Sequence, residues 1–131
     1  MTNWNDIPNF SAQEFRCKCG CDSDGIDEDF VYKIQDLRDR CNFPFRITSG
    51  YRCEDHPAEA KRAAEGKIGP HTTGRACDVA VIGHDAYTLI KHATNMGFTG
   101  IGVQQRGDKR FIHLDDLAEA DGFPRPWVWS Y

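Results

Sequence analysis

Apolar side chains recur along the chain at two spacings. From Asp27 onward, Phe30, Val31, Ile34, Leu37 and Cys41 follow one another at the three- and four-residue intervals of a helix face. Asp27 is placed to cap the first turn and Pro44 lies just beyond the end. HDAYTLIKHATNMG (84–97) predicts a second amphipathic helix, stopped at Gly97. Ser11 and Glu14 have capping-box spacing ahead of Phe15, and PAEAKRAAEG (57–66) sets Pro57 at a helix start and Gly66 at a stop. Elsewhere the pattern alternates. FRITSGYR (45–52) and ACDVAVI (76–82) read as strands, the first ending near Arg52, while GIGVQQ (100–105) and RFIHLD (110–115) flank Gly107-Asp108 as a hairpin. CKCGCDSDG (17–25) and KIGPHTTG (67–74) read as loops, the second carrying His71. Trp127, Trp129 and Tyr131 alternate as one face of a final strand packing on the core, a reading preferred over a glycan-stacking platform.

This order of elements predicts an α+β fold with a small, mostly antiparallel sheet flanked by helices. The 131 residues suit a single domain over 1–131, with no repeat and no linker. Hydrophobic residues at 40% and charged residues at 27% describe a folded chain rather than a disordered one. Sixteen basic against twenty acidic residues give a formal charge of -4, and no basic stripe with interleaved aromatics stands out, so nucleic acid is not an expected partner. The first residues lack a basic and then apolar leader, and no run of eighteen apolar residues follows. Cytoplasmic synthesis without a signal peptide, and no membrane insertion, are therefore expected.

Candidate chemistry gathers late in the chain. Asp78 interrupts an apolar strand, where an unpaired carboxylate costs several kcal/mol in desolvation, so it needs a cation such as a metal ion or an arginine. His113 and Asp115, at i and i+2, share one face of a strand. Two imidazoles and a carboxylate from His71, Asp78 and His113 suit zinc and leave a fourth position for water, as in a catalytic site. Such an ion polarises a carbonyl and lowers the pKa of its water toward ~7. The competing reading pairs Asp78 with Arg75 or Arg52 as a structural salt bridge and leaves the histidines incidental.

The six cysteines allow more than one role. Cys17, Cys19, Cys21 and Cys53 suit a second, structural metal, although C-x-C-x-C is tighter than the usual knuckle, or a disulfide to Cys53 once the protein leaves the cytoplasm. Cys41 and Cys77 read as buried thiols. His56, His84 and His92 read as surface or cap residues.

Several ordered motifs together carry a resemblance: FSAQEFRCKCGC, IDEDFVYKIQDLRDRCNFPFRITSGYRC, HTTGRACDVAV, GFTGIGV, FIHLDD and RPWVWSY. They resemble peptidase family M15, the zinc D-alanyl-D-alanine carboxypeptidases and their phage endolysin relatives, above all the short phage-type branch. The resemblance implies that His71, Asp78 and His113 bind zinc across a tight turn at Gly74. It gives Arg52, the arginine of SGYR, the stabilisation of charge on the attacked carbonyl. It also implies the zinc fold shared by DD-peptidases and the signalling domain of Hedgehog, which acts by binding. Better-studied relatives place an acidic general base three residues before the last histidine ligand, and here that position is Arg110. Asp115, or else Asp108, is then expected to be the base, with Asp115 alternatively orienting His113. The implied substrate is a peptidoglycan stem peptide, cut by a monomeric phage lysis or virion-associated enzyme acting on the bacterial wall after release. The implied alternative is a zinc-containing module of a phage tail, or one that binds peptidoglycan without turnover. The mildly acidic charge runs against the basic character usual for an anionic envelope.

Overall fold

The structure, a computed structural model, describes residues 2–131. Alternating segments become strands β1 (Arg46–Ser49), β2 (Ala76–Ala80), β3 (Gly100–Gln104), β4 (Phe111–Asp115) and β5 (Trp127–Ser130). They form one sheet in the order β1-β2-β4-β3-β5, antiparallel throughout except where β5 runs parallel to β3. The helices are α1 (Ala12–Phe15), α2 (Glu28–Cys41), α3 (Ala60–Ala64) and α4 (Gly83–Asn95). This is the expected α+β architecture, and the hairpin of β3 and β4 is the expected one. No helix among the described residues is long and apolar enough to cross a membrane.

The period-two geometry of strands divides the sheet chemically. Cys77 and Val79 of β2, and Ile112 and Leu114 of β4, turn to the face covered by α2 and α4, where Phe30, Val31, Ile34, Leu37, Leu89 and Ala93 complete the core. The intervening Asp78, His113 and Asp115 must then turn to the opposite face. Local signals hold the helices as read from the sequence. The Asp27 carboxylate accepts the Phe30 N–H at 3.0 Å, and α2 ends at Asn42 in the left-handed conformation. Glu14 reaches back to the Ser11 N–H at 2.7 Å.

Several boundaries differ from expectation. β1 stops at Ser49 because the next residues leave the sheet: the Tyr51 N–H donates to Phe15 O at 2.9 Å and the Arg52 N–H to His71 O at 3.2 Å. β2 likewise ends at Ala80. α3 starts only at Ala60, since residues before it form a tight turn in which Glu59 N–H donates to His56 O at 2.8 Å. The loop holding His71 contains a 3-10 turn, Pro70–Thr73, closed by Gly74 at φ +80°. A side chain at Gly74 would also strike Gly25 O, so this turn needs glycine for both conformation and space.

The aromatic tail corrects the expectation of core packing. β5 is an edge strand, with Trp127 at 56% and Tyr131 at 59% exposure. Trp129 instead crosses Gly102, its register partner, and packs against His113 with ring centroids 4.9 Å apart and planes tilted by 52°.

Candidate metal centre

Asp78 and His113 are direct partners in the β2–β4 register, which places two polar side chains side by side on the face away from the core. The turn ending at Gly74 brings His71 over them. All three are nearly buried, at 5%, 2% and 5% exposure for His71, His113 and Asp78. His71 Nε2 lies 3.3 Å from Asp78 Oδ1 and 3.3 Å from His113 Nδ1, and His113 Nδ1 lies 3.2 Å from Asp78 Oδ1.

The outer contacts fix which ring nitrogens present lone pairs. His71 Nδ1 is 2.8 Å from Gly50 O, which can only accept, so the proton sits on Nδ1 and Nε2 faces inward bare. His113 Nε2 is 2.8 Å from Asp115 Oδ2, an ionised carboxylate, so Nδ1 faces inward bare as well. Two nitrogen lone pairs and a carboxylate oxygen thus converge on one point. With bonds of about 2.0–2.1 Å, a tetrahedral zinc separates its ligand atoms by about 3.3 Å, the spacing found here, so the donor set fits that ion.

Charge is arranged around this triangle. With no ion present and the inner ring nitrogens carrying protons, burial raises the Asp78 pKa, but hydrogen bonds from His113 and His71 outweigh it and hold the carboxyl well below its ordinary range. Asp115 is fully buried; burial again opposes ionisation, yet His113 and Arg125 bring its pKa to about 2. Arg125 grips both Asp115 oxygens, at 2.9 and 2.8 Å, and Leu117 N–H donates to Oδ1 at 3.3 Å. Asp115 therefore stands behind His113, on the side of the ring away from Asp78, with both oxygens engaged. Arg52 contacts Asp78 Oδ2 at 3.6 Å, Glu59 Oε2 at 3.2 Å and Ser49 Oγ at 3.0 Å. The salt-bridge reading and the ligand reading of Asp78 thus coexist, one oxygen for each. Arg75 pairs with Asp116 and Asp121 instead.

The triangle opens into a cleft of about 280 Å³, with Arg52 and Arg62 along one side and Phe111, Trp129 and Tyr131 along another. Asp108 lies with Lys109 and Arg110 in an adjoining groove that shares Arg52, Asp78 and Phe111 with the cleft. Sequence reading missed Glu59, which is 2% exposed and holds both Arg52 and Arg62, and Arg125, which anchors Asp115. A glutamate amid helix formers looks like surface, and nothing local links Arg125 to a residue ten positions earlier. Cys17, Cys19, Cys21 and Cys53 converge on one another away from this cleft, whereas Cys41 and Cys77 are buried thiols as expected. His84 is exposed, and His56 Nδ1 accepts the Ala58 N–H at 3.0 Å.

A family model described as Peptidase M15 matches residues 8–115. The matched span includes His71, Asp78, His113 and all six cysteines, and stops before Arg125 and Trp129. No curated protein matches the chain.

Proposed function

The chain belongs to peptidase family M15, a family of zinc metallopeptidases, and from this premise we propose that it hydrolyses a peptide bond in the stem peptide of bacterial peptidoglycan. The observation that carries the reading is the triangle of His71 Nε2, Asp78 Oδ1 and His113 Nδ1 at the floor of an open cleft. These residues would hold zinc, which when bound supplies a Lewis acid and a water acidified toward ~7.

The protein's own groups perform the rest. Gly50 O and Asp115 fix the tautomers of the two histidines, and Arg125 holds Asp115. Arg52 beside Asp78 offers a cation to the substrate carbonyl oxygen or to a peptide carboxylate, and Glu59 keeps its guanidinium in place. Phe111, Trp129 and Tyr131 give an apolar wall, and Arg62 adds positive charge at the rim, which favours the anionic end of a stem peptide despite the net charge of -4. Asp115 acts as a positioning residue rather than a base, because its oxygens are occupied and it does not line the cleft. Asp108 is the remaining acid from the sequence reading for proton transfer, from the adjoining groove. A phage lysis or virion-associated role agrees with such a substrate.

Arg110 at the position of the usual acid favours a second reading, a zinc-containing module that binds peptidoglycan or builds a phage tail without turnover. Purified cell walls incubated with the protein decide between them. Release of new amino groups that stops with chelator is the expected result, and muropeptide masses then identify the bond. Zinc bound at the histidines with no release from any wall preparation would establish the binding module instead.

A further inference from the structure

The cysteines outside the cleft form a second constellation that the hydrolytic reading does not use. Cys17, Cys19 and Cys21 lie on the loop after α1, and Cys53 follows Arg52 on the segment leaving β1. Cys53 Sγ stands 3.6 Å from Cys17 Sγ, 3.5 Å from Cys19 Sγ and 3.6 Å from Cys21 Sγ, and Cys17 Sγ is 3.5 Å from Cys19 Sγ. All four sulfurs lie within 4.8 Å of one another. A disulfide needs about 2.05 Å and joins two sulfurs, leaving the others free to part. Here one sulfur is nearly equidistant from three. Zinc bonded to four thiolates at about 2.3 Å separates them by about 3.8 Å, close to these spacings.

Hydrogen-bond donors face two of the sulfurs, and of the four cysteines only Cys17 is buried. The Cys53 N–H donates to Cys17 Sγ at 3.3 Å and the Ser23 hydroxyl to Cys21 Sγ at 3.1 Å. The Cys17 N–H donates to Ser23 O at 2.9 Å, folding the loop back on itself. Cys19 and Cys21 are exposed, so apolar burial does not explain why they converge. We propose that Cys17, Cys19, Cys21 and Cys53 bind a second zinc ion as a closed, four-thiolate structural site, fastening the loop after α1 to the segment that carries Gly50 and Arg52. That segment supplies the carbonyl against His71 Nδ1, so the second ion braces the frame of the first. The proposal is independent of whether the cleft hydrolyses anything.

Metal content and cobalt spectroscopy test it. Protein purified under reducing conditions carries two zinc ions per chain. The Cys19→Ser/Cys21→Ser variant carries one, and the His71→Ala/Asp78→Asn variant also carries one. Cobalt loaded into wild-type protein gives near-ultraviolet thiolate charge-transfer absorption and intense tetrahedral visible bands, a readout that does not depend on any variant folding. The same bands persist in the His71→Ala/Asp78→Asn variant. Cobalt protein without thiolate absorption, iron in place of zinc at the cysteines, or a disulfide among the four cysteines in freshly purified protein would overturn the assignment.

Discussion

His113 is held from both ends, with Nδ1 turned to Asp78 and His71 and Nε2 to a carboxylate that is itself clamped by Arg125. Replacing Asp115 by Asn keeps its size but leaves Arg125 without its anion in a buried place, which costs about 3–5 kcal/mol when one partner of such a pair is removed. Zinc affinity should also fall about 10–100-fold, as it does when a group orienting a ligand is lost. Because Asp115 positions and does not take the proton, turnover measured at saturating zinc should stay within a few-fold of wild type. Loss of turnover in a fully zinc-loaded, folded Asp115→Asn protein would return the residue to the role of base. Asp108→Asn has the opposite signature: unchanged zinc content by metal analysis, with kcat lowered by about 10²–10⁴-fold if it moves the proton. Asp78→Asn removes a ligand charge, and its purified protein should lack the histidine-site zinc.

The elements that position these residues follow rules readable from the chain. Ile34 and Leu37 are fully buried on α2, so trimming either to Ala should cost about 2–5 kcal/mol, read as a lower denaturant midpoint with an unchanged slope. Asp27→Ala removes the cap on Phe30 N–H and should cost about 1 kcal/mol. Helix α2 was legible because period and cap agreed. Two of the three candidate ligands were legible for a related reason: Asp78 and His113 are polar residues on apolar strands, where alternation turns each away from its apolar neighbours. What was not legible depends on partners distant in sequence. Glu59 looks like helix surface until the chain folds it under Arg52, and Asp115 looks free until Arg125 arrives from the segment before β5. The aromatic tail misled because alternation reports that a strand has two faces without reporting that an edge position leaves one of them open.

At the scale of the whole molecule, the sheet keeps its core on one face and its ionisable groups on the other, so stability should depend on pH through those groups. In the metal-free protein, burial lowers the His113 pKa, but hydrogen bonds with Asp115 and Asp78 outweigh burial and the net shift is upward. A group raised on folding stabilises fully below its ordinary value of about 6.5, and that contribution fades as pH rises through the folded pKa. Asp78 and Asp115 shift downward, so their contributions are complete above about 3.9 and fade as pH falls through their folded values, about 2 for Asp115. Metal-free protein should therefore melt highest between about pH 4 and 6.5. Zinc reverses the upper edge, because ligation requires unprotonated imidazoles and the stabilisation from bound ion grows with affinity. Thermal melts at about pH 5 and about pH 7.5 test this: chelated protein should be more stable at the lower pH and zinc-saturated protein at the higher. The thiolates of the cysteine cluster push the zinc-loaded curve the same way, so the Cys19→Ser/Cys21→Ser variant isolates the histidine site. Parallel curves with and without zinc in that variant would mean that His71 and His113 do not share an ion.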